Sequence, residues 1–515
     1  MPQSASNARR HPVQAANPRH YHLIGIGGTA MASLAGLLRA AGHRVTGSDE
    51  SVYPPMSTQL ADLGIQYAEG YAPANLDVNP DIVVVGNAIS RGNAELEAVL
   101  ERRMHYTAAA VVIKEELLRG RHVLAVAGTH GKTTTTSLLA WVLESAGLNP
   151  SFLIGGVAEN FGASFRLTDS DIFVIEADEY DTAYFDKGPK MWHYLPEIAI
   201  VNNLEFDHAD IYRDEEAYVW AFARFVNLVP GNGRLIAGWD APLVRELAER
   251  SWAPVEGFAY GSEENAAPHA VVTPRREDVS GASSTMTRPP LGAQPRWTAT
   301  DVEFGAETTR FRVLFDGKEW GVVETPLAGA FNIRNCLAVI AAAMAAGAEP
   351  ERVREGLRTF RSVKRRMEIR GEVGGVVVID DFAHHPTAVR ETIEATRQRF
   401  SGRPIIAVFE PRSYTAQRKE FEEPYIRAFE GASQVVLAGL FHPERYSGGT
   451  AMDPHRVIEQ LRSAGKQADY IPEVDEIVRQ LMTRIRGNEV ILVMSNGGFG
   501  GIHGKLLEAL GGIDN

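Results

Sequence analysis

Residues 123–136 read VLAVAGTHGKTTTT, and how this stretch is read decides how the rest of the chain is read. A short apolar run, a turn holding two glycines, then Lys132 and a row of threonines predict a buried strand, a loop and the start of a helix. Such a loop aims backbone N–H groups at an anion, and the helix behind it adds the positive end of its dipole. The usual phosphate loop is G-x-x-x-x-G-K-[ST]. Here Val126 stands five places before Gly131, and Gly128 only three. The turn is tightened. Backbone groups from Gly128 through Thr129, His130 and Gly131 to Lys132 can still wrap a phosphate, and Lys132 can bridge two. A hydroxyl from Thr133 or Thr134 can ligate Mg2+. A Gly-Lys-Thr run is common by chance; one that ends an apolar strand and opens a helix is not.

Upstream, YHLIGIG reads as a strand, and GTAMASLAGLLRAAG as a helix closed by Gly42, with further strands at HRVTGSD and DIVVVGNA. This strand–helix–strand repetition predicts a parallel sheet with helices on both faces. Gly25, Gly27, Gly28, Thr29, Ala30 and Met31 form a G-x-G-x-x-A turn that lets backbone approach a diphosphate. Ser48 and Asp49 end the next strand, where a dehydrogenase places its ribose-binding acid. The pattern suits a nucleotide or nucleotide-sugar, and it also suits a merely tight turn.

Downstream, DIFVIEAD and IAIVNN are buried-type strands ending in acids or amides. Glu176, Asp178, Glu179 and Asp181 follow the first, and Asp207, His208 and Asp210 follow the second. A cation bridging nucleotide phosphates needs hard oxygen ligands at such a strand end, which favours Glu176 over a solvated acidic loop. His208 can ligate a second Mg2+ or Mn2+. Asn332 and Asn335 share one helical face and can read an adenine edge; as a lone pair they are equally surface or capping residues. Asp380, Asp381, His384 and His385 lie between a strand and a helix beginning near Pro386, where ligands gather in parallel sheets; a zinc site is the lesser reading there, for want of a cysteine or a third spaced ligand.

The formal charge of −13 argues against a nucleic-acid or acidic-membrane partner, and no apolar run is long enough to span a membrane. The polar first 20 residues lack the apolar core of a secretory signal. With one cysteine, Cys336 in an alanine-rich helical run, no intramolecular disulfide is possible; a buried, inert thiol and a cytoplasmic location are expected. The length suggests about three domains. They are placed at 20–120, 121–361 and 362–515, after a flexible tail over 1–19. Residues 260–300, rich in Pro, Ser, Gly and charge, read as a mobile surface insertion.

Taken together, GIGGTAM, GTHGKTTT, EADEYD, DHAD, RRME and DDFAHHPT resemble, in order, the marks of the Mur ligases, ATP-dependent ligases that build the bacterial cell-wall precursor. The resemblance runs from about residue 20 to the C-terminus and implies three α/β domains: a Rossmann-like UDP-binding domain, a central P-loop domain and a C-terminal Rossmann-like domain. It implies ATP and Mg2+ (or Mn2+) as cofactors. Lys132, Glu176, His208 and His130 would be the catalytic group. Thr133, Glu176 and His208 would hold metal, and Asn332, Arg366 and Asp381 would meet adenine, phosphates and ribose. Within the family, EADEYDTAYFDKGPKMWHYLPEIAIVNNLEFDHADIY, FEPRSYT and VMSNGGFGGIHGKLLEAL resemble the branch that attaches the tripeptide L-alanyl-γ-D-glutamyl-meso-diaminopimelate to UDP-N-acetylmuramate during recycling of cell-wall peptides. The branch that adds L-alanine alone is the alternative. Arg412, Ser495 and Asn496 are the candidates for the peptide.

Three departures stand out. Phe222 occupies the place where several members carry a carbamylated lysine, Phe331 precedes Asn332 where the family has histidine, and a DNPR motif is missing. Two other classes fit fragments of the pattern: a nicotinamide oxidoreductase, from GIGGTA and Asp49, and a nucleotide-sensing module without chemistry. Oligomeric state is not legible.

Overall fold

The structure, a computed structural model, describes residues 13–53, 56–260, 292, 294–442, 446 and 450–512. Three large sheets follow one another along the chain. The first is wholly parallel, in the order Gln66–Glu69, Arg44–Asp49, His20–Ile24, Ile82–Val85, Tyr106–Ala108. Strand order reverses at His20–Ile24, so a crevice opens beyond its carboxyl end, where the Gly25–Met31 turn lies.

The second sheet holds ten strands among the described residues. His122–Ala127 sits inside it, flanked by Ile172–Glu176 and Ile198–Val201. Its last five residues are buried, as expected of a strand covered on both faces. The chain passes first to one side of this strand and then to the other, so the tightened turn also lies at a reversal of strand order. Antiparallel pairs close both ends: Ser151–Ala158 with Ala163–Arg166, and a meander of Trp297–Phe304, Thr309–Phe315 and Lys318–Thr325. The third sheet runs Glu368–Val373, Val376–Asp381, Val490–Met494, Ile405–Phe409, Gln434–Leu437, Gln467–Tyr470, and only its first pair is antiparallel.

The expected irregular stretch over 260–300 falls largely outside the described residues, as do residues 1–12 of the expected tail. One part of it is corrected. From Trp297 onward the chain is strand, because Trp297 is buried and its indole N–H donates to Glu256 at 2.8 Å. Residues 14–19 run along the first unit, where Ala15 N donates to Ala41 O and Arg19 N to His43 Nδ1.

The helix Thr29–Ala40 packs against the Ser151–Arg166 hairpin. Gly36 lies under the Phe165 ring, where a Cβ would come within 2.1 Å, and the Ser33 and Ser164 hydroxyls pair at 2.9 Å. No helix among the described residues is long and apolar enough to cross a membrane.

Cys336 is fully buried in the helix Ala330–Ala345, and burial pushes its thiol up to about 12. Iodoacetamide at mildly alkaline pH should leave the native chain unlabelled while labelling the urea-unfolded chain. The thiolate fraction alone predicts a difference of about three orders of magnitude. Comparable labelling rates in the two states would contradict the burial.

Candidate functional site

The spacing of the two glycines has a structural reason. Gly128 and Gly131 both take positive φ, at 132° and 80°, a region costly for residues with a Cβ. A Cβ on Gly128 would stand 3.1 Å from the Asn203 carbonyl oxygen, and one on Gly131 would stand 2.9 Å from Asn335 Oδ1. The loop is tight because the segment after Ile198–Val201 lies directly over it. That segment also clips the loop in place. The Thr129 hydroxyl donates to Glu205 O (3.0 Å) and accepts from Glu205 N (2.9 Å). His130 N donates to Asn203 Oδ1 at 2.8 Å, and Asn203 Nδ2 donates back to His130 O.

Lys132 opens the helix Lys132–Ser145 and curls over the loop, donating to Gly128 O and to Glu179 Oε1, each at 2.8 Å. Burial opposes its charge, but Glu179 and Asp178 outweigh that and hold its pKa above the usual lysine range. The acids after Ile172–Glu176 divide by direction. Glu176 accepts from the Thr133 hydroxyl (3.1 Å) and from Gly155 N (2.8 Å). Glu179, fully buried, meets both Lys132 and His208 Nε2, the latter at 3.0 Å. Asp178 turns to Lys190 and Asp181 to Lys187. His208 itself sits at φ 57°, a left-handed backbone that costs on the order of 1–3 kcal/mol for such a residue. Asp207 accepts from His208 N at 2.7 Å, which helps hold that conformation.

The donor set fits a divalent cation. The Thr133 hydroxyl meets the Glu176 carboxylate, and Glu179, which bonds the adjacent Lys132, keeps a buried Oε2 with no hydrogen-bond partner among the described residues. Burial pushes the Glu176 carboxyl up, and Lys132, the Gly155 amide and Arg366 offset only part of it.

The third unit reaches this site through its entry segment. Ser362, Arg365 and Met367 all take positive φ, and the strain is held by specific bonds. Arg365 Nη2 donates to Ser495 O and Gly497 O, each at 2.7 Å, and Met367 N donates to Asp381 Oδ2. Between them Arg366 points back, donating to the Thr133 hydroxyl at 3.2 Å with its guanidinium over Phe382. Arg366, expected near phosphates, is thus brought to the loop.

At three expected positions the structure shows protein partners. Asp381 is almost fully buried and accepts from Met367 N, Ala383 N and Thr392 Oγ1, so it ties the entry segment down. Asn332 spends its amide on Ala328 O and accepts from Asn335. The asparagine that lines the small cavity beside the loop, with Gly131, Phe331 and Arg334, is Asn335. Ser48 is wholly buried, donates to Glu95, and supports the glycine turn from beneath through its carbonyl oxygen. Asp49 does meet the turn, accepting from Gly27 N at 2.8 Å, and the helix from Thr29 places Thr29, Ala30 and Met31 just beyond Gly25 and Gly28.

At the carboxyl ends of the third sheet, Arg412, Ser495 and Asn496 come together. The Ser495 hydroxyl donates to Glu410, the Arg412 guanidinium lies over Phe441 and packs against Gly497, and Asn496 Oδ1 is buried without a hydrogen-bond partner among the described residues. Asn202, Asn203, Glu205 and Arg365 were not singled out from sequence. The one signal for the first two was that the strand IAIVNN ends in amides, and nothing local marks Arg365 apart from Arg366.

Comparison with known proteins agrees with this geometry. The chain matches the descriptions "Mur ligase family, catalytic domain" over residues 20–119, "Mur ligase middle domain" over 126–343, and "Mur ligase, glutamate ligase domain" over 365–497. It is 41% identical to the UDP-N-acetylmuramate--L-alanyl-gamma-D-glutamyl-meso-2,6-diaminoheptandioate ligase of Escherichia coli (strain K12), over 95% of this chain and 98% of that one. It is 34% identical to a UDP-N-acetylmuramate--L-alanine ligase of Variovorax paradoxus (strain S110), over 95% of each. A crystal structure of a murein peptide ligase from Psychrobacter arcticus superposes with a TM-score of 0.67 at 35% identity, covering 96% of this chain and 99% of that one. The tightened glycine turn, the acids around it and the back-reaching arginine therefore sit in a chain that belongs, along nearly its whole length, to the Mur ligase family.

Proposed function

We propose that the chain joins the carboxylate of UDP-N-acetylmuramate to the amine of L-alanyl-γ-D-glutamyl-meso-diaminopimelate, consuming ATP. The observation that carries this is the Thr133 hydroxyl, which bonds Glu176 of the same unit and Arg366 of the next. That contact draws the third unit to the place where a terminal phosphate would lie. The tripeptide, rather than L-alanine alone, is favoured by the higher identity to the tripeptide ligase.

A carboxylate is a poor acyl donor because oxide is a poor leaving group. Phosphorylation by ATP makes an acyl phosphate, and the peptide amine then displaces phosphate. Chemistry of this kind depends on positioning and on neutralising phosphate charge. The backbone of Gly128–Lys132 would cradle the β- and γ-phosphates, with Lys132 and Arg366 matching their charge. Asn335 and Phe331 would border the adenine. Thr133, Glu176 and Glu179 would hold Mg2+, with His208 near a second ion; bound there, the metal supplies charge stabilisation to the phosphates. His130 would orient the sugar carboxylate, the Gly25–Met31 turn would hold the UDP diphosphate, and Arg412 with Ser495 and Asn496 would take the peptide. Acyl phosphate hydrolyses in water, so closure of the units before transfer protects it.

The test offers purified protein ATP, Mg2+ and UDP-N-acetylmuramate with either tripeptide or L-alanine, and weighs the product. The tripeptide adduct should form with stoichiometric ADP. An alanine adduct alone would overturn the choice of amine, and no ADP with either amine would overturn the ligase reading.

A further inference from the structure

One cluster of metal-binding side chains has no metal role in the proposed chemistry, although that reading gives one member, His130, to the sugar carboxylate. His130 from the loop, Glu205 from the clipping segment and His385 from the third unit bring their donor atoms within 4.8 Å of one another. Glu205 Oε2 lies 3.4 Å from His130 Nε2 and 3.4 Å from His385 Nδ1, and the two rings are tilted by 39° at 4.8 Å. These separations are long for charge-assisted hydrogen bonds, which run about 2.7–2.9 Å. They match the edge of a tetrahedral site, since metal–donor bonds of about 2.0–2.1 Å place two donors about 3.3–3.4 Å apart.

We propose that His130, Glu205 and His385 form a site for a transition-metal dication of the Zn2+ class, bridging the central and C-terminal units. Two imidazoles and one carboxylate suit Zn2+ or Co2+ and discriminate against Mg2+, which demands oxygen donors. The site is pre-organised on one side. His130 and Glu205 are each fixed to the loop by backbone bonds, through Asn203 and Thr129. His385 is nearly buried at the start of the helix Pro386–Arg399 and lies close enough to complete the set. Its Nδ1 accepts from Thr387 N at 3.4 Å, a long bond that a metal ion would replace. A fourth position is left for water, as in zinc sites with three protein ligands. An ion here would hold the two units together and occupy His130, so it acts against turnover.

The test is titration of the full chain with Co2+ in a large excess of Mg2+, which fills the oxygen-donor pocket, followed by visible absorption. About one equivalent should bind with the band of a tetrahedral ion and be displaced by Zn2+. His385→Asn keeps a side-chain acceptor for the Thr387 N–H that His385 now receives, so the helix cap survives. It should weaken Co2+ binding by about tenfold or more at an unchanged urea midpoint, as should Glu205→Gln. His208→Ala should leave the tetrahedral band in place. A band lost in His208→Ala but kept in His385→Asn would move the ion to the Glu179 pocket and overturn the proposal; so would an octahedral spectrum or no binding. None of these readouts depends on ligase activity.

Discussion

Lys132→Ala removes ADP formation and ligation together, with kcat lower by about 10²–10³-fold or more, while binding of the UDP-sugar is unchanged. The ammonium is the one cation carried by the loop itself, and it rests on Gly128 O and Glu179, where it can swing to a phosphate without rearranging the backbone. The Gly25–Met31 turn belongs to a different sheet, so the sugar nucleotide does not depend on this group. Two measurements separate the roles: coupled ADP release under saturating substrates, and calorimetric titration with the UDP-sugar. Ligation at the parental rate in Lys132→Ala would refute the assignment, and loss of UDP-sugar binding would show a folding defect instead.

The second large effect is on stability. Glu179→Ala leaves the Lys132 ammonium and His208 side by side in a buried pocket without the carboxylate that now touches both. Burial disfavours the Glu179 charge, yet Lys132 and His208 outweigh it and hold the carboxyl below its usual range. Breaking such a buried arrangement by removing one partner costs roughly 3–5 kcal/mol. The urea midpoint of the central unit should fall accordingly, with a smaller fall for Glu179→Gln, which keeps the shape and one acceptor. An unchanged midpoint in the alanine variant would mean that the pairing contributes nothing net. Since Glu179 also offers an unpartnered oxygen to a cation, the glutamine variant should need more Mg2+ for half-maximal activity.

What could be read along the chain follows from local physics. Apolar runs of four to six residues, each ended by glycine, acid or amide, marked the parallel strands and placed the candidate groups at their carboxyl ends. The loop at 128–132 was legible because backbone geometry there requires glycine, whatever the rest of the fold does. Edge elements were harder. Glu368–Val373 and Gln467–Tyr470 are half exposed and mixed in polarity, and no periodicity separates them from loops.

Side-chain direction was not legible at all. Four acids within six residues read alike in one dimension, but only Glu176 and Glu179 face the loop. Asn332 and Asn335 share a helical face, but only the structure shows that the former bonds Ala328 O while the latter lines the cavity. The sequence by itself determined the architecture, the phosphate loop and the family, because these depend on short-range patterns of burial and backbone freedom. The tertiary structure alone decided which acid pairs with Lys132, that Asp381 ties down the entry segment, and that His130, Glu205 and His385 meet. The first rests on a contact 47 residues apart and the last on contacts 75 to 255 residues apart, and pairing across such distances leaves no local trace.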